Sequence, residues 1–220
     1  MTEDILETPR PIFWSFRRCP YAMRARMAVL SAGLDVELRE IKLKEKPEAF
    51  LKASPSATVP NLQACDLNFD KSLDIMFWAL GQRDPHGLFN MPDIGMTLIA
   101  QNDGPFKTAL DHTKYAVRYP DLDPQLERNK ASDFVQSVNA RLTENSFLTG
   151  DRPTLADIAI FPFVRQFANI DRSWFDAQPW TDVIIWLDGF LQSTEFQAAM
   201  IKIPVWFDGS HAYLFGHASD

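Results

Sequence analysis

The amino-acid sequence predicts an α/β domain with a mixed four-stranded sheet, followed by an all-helical domain. In residues 1–82, short apolar runs of strand length alternate with segments that favour helix. Residues 83–95 are rich in Gly, Pro, Asn and Asp, which is typical of a linker. In residues 96–220 the strand signals fade and helical spacing dominates. We therefore expect two domains, joined by that linker.

The elements predicted for the first domain define its topology. They are a strand at 11–16, a helix at 21–32, a strand at 36–43, a helix at 46–52, strands near Leu62 and at 67–69, and a helix at 72–80. Gly33 suits the left-handed position after the first helix, and Ser72 suits the N-cap of the third. This order is a βαβ unit joined to a ββα unit. A right-handed crossover makes the first two strands parallel neighbours.

The second domain is predicted from helical spacing, with helices near 96–118, 123–145, 154–168 and 180–192. Thr154 and Asp157 form a variant of the capping box ahead of an apolar run, which marks a helix start. The tail at 203–215 is expected to pack on the body of the protein through its aromatic side chains, which include Trp206, Phe207 and Tyr213.

Composition and charge argue against several classes of function. A net charge of -7 argues against a nucleic-acid binder held by phosphate contacts. No apolar stretch reaches the length that a membrane span needs, and the acidic N-terminus lacks the regions of a signal peptide. Two cysteines, Cys19 and Cys65, are too few for a disulfide scaffold, so we expect a cytoplasmic protein. The four histidines are scattered, and no metal site is expected.

Cys19 lies where the first predicted strand ends and the first helix begins, with Pro20 at the first helical position. A helix start presents N–H groups without intrahelical partners and the positive end of the helix dipole, and both lower the pKa of a thiol. Ala22 stands where a second cysteine of a Cys-x-x-Cys motif would be. A mixed disulfide on Cys19 therefore needs an external thiol to resolve it.

The alternative for Cys19 is that it is a small buried apolar residue, as most cysteines outside disulfides are. Cys65 has none of the features of a helix start, and we expect it to be structural. Several arginines near Cys19 in the sequence are expected to make the field around its sulfur positive, namely Arg17, Arg18, Arg24 and Arg26.

Residues 15–22, Ser-Phe-Arg-Arg-Cys-Pro-Tyr-Ala, resemble the active-site segment of glutaredoxins and of the cysteine-type glutathione transferases, especially the omega class. Residues 41–50, 58–60 and 154–158 are similar to further segments of the same family, in the same order. The resemblance implies a thioredoxin-like, glutathione-binding first domain and glutathione transferase architecture. It also implies glutathione as cosubstrate, and a homodimer.

The same resemblance assigns roles to single residues. Cys19 would be the catalytic thiol, Tyr21 would line the glutathione site, and Lys46 would meet a glutathione carboxylate. Val59 would pair its backbone with that of glutathione, ahead of a cis-proline at Pro60. The γ-glutamyl carboxylate would be held by Ser72 at a helix start, a geometry that suits an anion.

Lys71 departs from the family pattern, which has Glu or Gln before that serine. A lysine would repel the γ-glutamyl ammonium, although it could add to carboxylate binding. Asp70 and Asp74 are close enough in sequence to supply the missing acid. Alternatively, Lys71 is a solvated surface residue without a ligand role.

Three functions remain open on the sequence. The first is a glutathione-dependent thiol transferase or reductase, of the dehydroascorbate reductase kind, acting through a mixed disulfide on Cys19. The second is conjugation of glutathione to electrophiles, for which the hydroxyls of Ser15 and Tyr21 are available. The third is a non-catalytic binding or regulatory protein on the same fold. In the first two, a small oxidised or electrophilic molecule is the second substrate.

Overall fold

The computed structural model describes residues 9–216, and the acidic N-terminal segment at 1–8 lies outside the described residues. The chain divides into two compact units. One unit holds the chain up to Pro85 together with the segment from Ala198 onward. The other holds His86–Gln197.

The first unit is built on a mixed sheet with helices packed on it. Its strands are β1 (Ile12–Ser15), β2 (Val36–Glu40), β3 (Asn61–Ala64), β4 (Leu67–Phe69) and β5 (Leu214–Phe215), and its helices are α1 (Pro20–Ser31), α2 (Glu48–Ala53) and α3 (Ser72–Gln82). The strand order is β4-β3-β1-β2-β5. β1 and β2 are parallel, as predicted, while β3, β4 and β5 pair antiparallel with their neighbours.

The fifth strand corrects the prediction of a four-stranded sheet. β5 pairs with β2, with Val36 opposite Phe215 and Glu37 opposite Leu214. The sequence alone places this tail in a helical domain, because a strand of two residues has no periodicity to detect. Its pairing covers an edge of β2 that would otherwise present unpaired backbone groups. Of the tail aromatics, Phe215 is buried while Phe207 is 66% exposed, contrary to the packing expected for Phe207.

Alternation along β1 and β2 separates the two faces of this sheet. One face carries Phe13 and Ser15 from β1, and Glu40 from β2 lies on the same face, within reach of α1. The other face carries a buried cluster of Trp14, Ile41, Phe50, Ala53 and Val59, against which Cys19 and Trp206 pack. The Cys19 side chain therefore packs against the edge of this buried cluster.

The ends of the helices largely follow the expected residues. Gly33 has a φ of 62°, which is the left-handed conformation that glycine adopts without strain after a helix. The start of α3 differs by one residue from the prediction, since Lys71 occupies the N-cap and Ser72 is the first helical residue. Extended backbone at Lys71 places its side chain outside the helix.

The second unit is helical over its described residues. Its helices are α4 (Ile94–Gln101), α5 (Lys107–Lys114), α6 (Pro124–Glu144), α7 (Leu155–Ala168), α8 (Arg172–Asp176) and α9 (Thr181–Gln192), and α10 (Thr194–Ala199) leads out of it. The predicted helix at 96–118 is interrupted by a π-helical turn, Asn102–Phe106. Pro105 lies inside this turn, and proline removes a backbone donor from the regular helical pattern. α8 and α10 were not predicted, because each is too short for periodicity to show.

The predicted capping box at the start of α7 is present. The Asp157 carboxylate accepts hydrogen bonds from the Thr154 N–H at 2.8 Å and from the Thr154 hydroxyl at 3.1 Å. It also accepts from the Leu148 N–H and from Trp186 Nε1, so a fully buried carboxylate is surrounded by donors. Among the helices described at 9–216, none has both the length and the apolar character that crossing a bilayer requires.

Candidate functional site

Cys19 occupies the N-cap of α1, at the predicted junction of strand and helix. Its backbone is extended, with φ -79° and ψ 124°, and Pro20 follows at the first helical position. The Cys19 N–H donates to the Phe16 carbonyl at 2.9 Å, and the Cys19 carbonyl accepts the Met23 N–H at 2.9 Å. These two bonds hold the residue at the positive end of the helix.

The Cys19 side chain is half-buried, and its sulfur lies 3.7 Å from the carbonyl oxygen of Val59. The Val59–Pro60 peptide bond is cis, as the resemblance implied. The carbonyl accepts from the protonated thiol and so opposes ionisation, whereas the helix start favours it. A sulfur contact of this length is weak.

Ser72 is buried at the start of α3, and its hydroxyl accepts a hydrogen bond of 3.0 Å from Nε of Arg24. Arg24 is itself buried on α1, and its guanidinium lies 5.1 Å from the centre of the Tyr21 ring. The Ser72 hydroxyl keeps its own proton to donate to an anion. A buried cation and a helix start thus meet at the position that the resemblance assigned to a carboxylate.

Arg24 is not among the binding residues that the sequence predicts. The available signal was an arginine inside an apolar, alanine-rich helical segment, because an arginine buried there needs a specific partner. Its partner Ser72 is 48 residues away in the chain, so only the fold brings the two together.

The remaining predicted residues differ in exposure. Tyr21 is half-buried in the first turn of α1. Lys46 is exposed two residues before α2, and Lys71 is exposed at the N-cap of α3. Val59 is buried, with its carbonyl directed at Cys19. The structure thus brings Cys19 and Val59 together and leaves both lysines in solvent.

Asp70, which could have replaced the missing family acid, is engaged elsewhere. Its carboxylate accepts hydrogen bonds from the Ser54 hydroxyl at 2.5 Å, the Ser56 N–H at 2.7 Å and the Asn61 side chain at 3.2 Å. Burial raises the pKa of Asp70, but these hydrogen bonds outweigh burial and hold the pKa below its ordinary value. Asp70 therefore anchors the loop before the cis-proline, while Asp74 is exposed on α3.

The arginines near the thiol do not act as one positive cluster. Arg26 is fully buried and paired with Glu40 at 2.6 Å, so its charge is compensated. Arg18 is exposed and lies over the Phe16 ring at 5.3 Å. The Ser15 hydroxyl is also fully buried and accepts from Nε of Arg26 at 2.9 Å.

Fold and site together define a protein with one thiol at a strand-to-helix junction of a mixed sheet, ahead of a cis-proline, and with a helical unit. A model of the glutathione S-transferase N-terminal domain matches residues 13–85, and a model of the C-terminal domain matches residues 125–189. The chain belongs to the glutathione S-transferase family.

Several known proteins are similar to this chain. Glutathione S-transferase omega-1 of Mus musculus is 26% identical over 166 residues, which cover 72% of this chain and 67% of that protein. A probable glutathione transferase of Aplysia californica is 39% identical over 44 residues, which cover 20% of this chain and 48% of that protein. The second match therefore spans about half the length of that relative.

Solved structures share the fold at lower identity. A glutathione transferase family member from Pseudomonas fluorescens, with two glutathione bound, has a TM-score of 0.74 at 15% identity and covers 90% of this chain and 95% of its own. A glutathione S-transferase bound with lactoylglutathione has a TM-score of 0.70 at 21% identity and covers 87% of this chain and 99% of its own. At these identities the likeness establishes the fold alone.

Proposed function

We propose that this protein is a glutathione-dependent thiol transferase or reductase that acts through a mixed disulfide on Cys19. The observation that carries the proposal is the place of the Cys19 sulfur, half-buried at the start of α1 and 3.7 Å from the Val59 carbonyl. A thiol held at a helix start is suited to attack a disulfide near neutral pH. The similarity to an omega-1 transferase agrees with this chemistry.

The reaction takes two exchange steps. The Cys19 thiolate attacks the glutathione sulfur of a mixed disulfide, the old S–S bond breaks, and the second thiolate leaves and takes up a proton. Free glutathione, as its thiolate, then attacks the glutathione sulfur bound to Cys19. Glutathione disulfide leaves, and the Cys19 thiolate is restored. Ala22 is fully buried and carries no thiol, so the resolving sulfur comes from outside the chain.

Glutathione would lie along the loop that precedes Pro60. The Val59 backbone would pair with the cysteinyl backbone of glutathione, and Ser72 with Arg24 would hold the γ-glutamyl carboxylate. Tyr21 and Lys46 would border the remaining part of the molecule. The charge of Arg24 would add affinity at the γ-glutamyl carboxylate, while the ammonium contact of the family acid would be lost with Lys71.

The test is turnover of a small mixed disulfide with glutathione. Cys19→Ser should abolish turnover, and Cys65→Ser is the matched control, since Cys65 is an exposed thiol in the turn between β3 and β4. Mass spectrometry of the parent, treated with a glutathionyl disulfide, should find one glutathione on Cys19. Equal turnover in Cys19→Ser and parent would contradict the proposal.

Conjugation to an electrophile has less support from this site. It needs a hydroxyl to hold the glutathione thiolate, and the Ser15 hydroxyl is buried and bonded to Arg26. Tyr21 remains as the donor for such a reaction. Rapid conjugation of a chlorodinitrobenzene-type acceptor that survives Cys19→Ser would favour this second function.

A non-catalytic role is favoured by one feature, the exposed Lys71 beside Ser72. Calorimetric titration separates it from catalysis, because a binding module on this fold would give no heat with millimolar glutathione. In a catalytic protein, Lys71→Gln should tighten glutathione binding about threefold, as expected for removing an exposed like charge. Lys44→Gln, an exposed lysine before α2, is the control.

We also propose that the protein is a homodimer and works in a reducing compartment such as the cytoplasm. Large apolar side chains are exposed on β4 and α3, with Leu67 at 54% and Phe77 at 38%. Sedimentation should find a dimer that Leu67→Glu weakens, while Leu51→Glu on α2 leaves it intact. A monomeric parent would contradict the dimer.

A further inference from the structure

Glu40 lies at the end of β2 and holds the loop that leads to the thiol. Its Oε1 accepts the backbone N–H of Arg17 at 2.7 Å, two residues before Cys19. Its Oε2 accepts Nη2 of Arg26, on α1, at 2.6 Å. One buried carboxylate thus joins the loop at 16–18 to the helix that starts after it.

Arg26 is fully buried, and two further hydrogen bonds hold its guanidinium next to Glu40. Nε donates to the Ser15 hydroxyl at 2.9 Å, and Nη1 donates to the Ala199 carbonyl at 3.1 Å. Burial lowers the pKa of Arg26, and burial raises the pKa of Glu40, while the partner charge opposes each shift. Removing either charge would leave the other buried without compensation.

The segment after α10 bonds the backbone of Glu40 and the side chain of Arg17. The backbone N–H of Trp206 donates to the Glu40 carbonyl at 2.8 Å, and Nη1 of Arg17 donates to the Met200 carbonyl at 3.3 Å. Trp206 also packs edge-on against Trp14, with ring centres 4.9 Å apart. Glu40 therefore bonds the thiol loop through its side chain and the C-terminal segment through its backbone.

Two backbone bonds next to the thiol differ in what they hold. The Cys19 N–H bonds back to Phe16 within the loop itself, so that bond moves with the loop. The bond from the Arg17 N–H to Glu40 ties the loop to the sheet instead. A small displacement of a reacting sulfur from its productive position lowers reactivity sharply.

We propose that Glu40 is a positioning residue for Cys19, and that the C-terminal segment at 199–215 holds Glu40 in place. The inference rests on the proposed function only in taking Cys19 as the reacting group. The segment at 199–215 then contributes to the active site, because its hydrogen bonds complete the network that fixes the thiol at the start of α1.

The experiment compares two changes at Glu40 in a Cys65→Ser background. Glu40→Asp keeps the charge but is too short to reach the Arg17 N–H. Glu40→Gln keeps the length, but its amide nitrogen would face either the Arg17 N–H or Nη2 of Arg26, and both of these groups are donors. Glu37→Gln is the matched control, since Glu37 lies on the same strand and pairs with Arg39 at 2.6 Å on the other face. The readout is the rate of Cys19 alkylation by iodoacetamide against pH, without glutathione.

In both Glu40 variants, Cys19 should be alkylated about tenfold more slowly at neutral pH. The midpoint of its titration should move towards that of an ordinary cysteine, since a rise of about one unit in the pKa of the thiol lowers the thiolate fraction about tenfold. Glu37→Gln should match the parent. Parent-like profiles in both Glu40 variants would overturn the proposal. A parent-like Glu40→Asp with an altered Glu40→Gln would also overturn it, because charge and not position would then be the cause.

The part played by the tail is tested by a chain that ends at Pro204. Its Cys19 profile should shift in the same direction as in the Glu40 variants, and a parent profile would overturn the fastening role. If a variant does not fold, hydrogen exchange on the unaltered protein decides: the Arg17 amide should exchange slowly, and fast exchange would overturn the proposal. A parent without turnover but with Glu40-dependent alkylation would refute the proposed function alone.

Discussion

The guanidinium of Arg24 donates a 3.0 Å hydrogen bond to the hydroxyl of Ser72, so a buried cation of α1 lies against the first residue of α3. This contact combines a formal charge with the positive end of a helix. Neither group alone makes an anion site, and together they supply both charge and directed donors.

Arg24→Gln should raise the glutathione KM of thiol transfer by about tenfold to a hundredfold, because a hydrogen bond from a charged group contributes about 1.5–3 kcal/mol. The kcat should change less, since Arg24 is expected to contact the γ-glutamyl end and not the sulfur. Steady-state kinetics at varied glutathione measures this. Arg18→Gln is the control, an exposed arginine of the same region. An unchanged KM in folded Arg24→Gln would remove Arg24 from the site.

Cys19 should ionise at lower pH than an ordinary cysteine thiol, because it occupies a helix start. Cys65→Ser leaves Cys19 as the thiol to be titrated, and its alkylation rate against pH is compared with that of an unstructured cysteine peptide. An equal midpoint for protein and peptide would mean that the Val59 carbonyl, 3.7 Å from the Cys19 sulfur, cancels the influence of the helix. The proposed chemistry at neutral pH would then lose its physical basis.

Glu127 on α6 should make stability depend on pH. Hydrogen bonds from Lys130 and His112 lower the pKa of this buried carboxyl against the effect of burial. The folded chain then binds fewer protons than the unfolded chain at acidic pH. The stabilisation is therefore complete above the unfolded pKa and is lost as pH falls through the folded pKa.

Urea unfolding should therefore find a higher free energy of unfolding for the parent than for Glu127→Gln at neutral pH. This difference in free energy should become smaller as pH falls. Glu144→Gln, an exposed change at the end of the same helix, serves as the comparison and should show no such trend. A gap for Glu127→Gln that stays constant with pH would show that the carboxylate charge is not what stabilises α6.

Asp157→Asn should destabilise the second unit by about 2 kcal/mol, because an amide nitrogen would face donors that the carboxylate now accepts. Thermal or urea unfolding measures the loss. Asp171→Asn is the matched change at an exposed cap, where the side chain accepts only from the Trp174 N–H. It should cost little, since Asn caps helices as well as Asp does. Equal losses at the two positions would contradict the importance of burial.

Local patterns predicted most of the first unit and the start of α7 in the second. The junction at Cys19 and Pro20, the glycine after α1 and the capping box at Thr154 are set by residues within a few positions of one another. Such signals can be recognised in the sequence, because the start or end of a helix depends on residues that are close to it in the chain. The single-residue error at Ser72 has the same scale as the uncertainty of any helix boundary.

The resemblance located residues of the site without their environments. Lys46 and Lys71 are exposed, and the Asp70 carboxylate accepts hydrogen bonds from Ser54 and Ser56. Ser15 appeared available as a hydroxyl on the sequence, whereas the fold buries it beneath Arg26. Burial and hydrogen-bond partners are properties of the packed chain, and they decide which polar groups can meet a ligand.

The sequence by itself determined that a lone thiol would stand at the start of a helix, on a sheet with two parallel strands and ahead of a helical unit. Only the tertiary structure decided which groups surround that thiol. The pairs Arg24–Ser72, Arg17–Glu40 and Arg26–Ala199 join residues 48, 23 and 173 positions apart. Periodicity reports local conformation, while contacts over such separations are fixed by packing, and no short-range pattern encodes them.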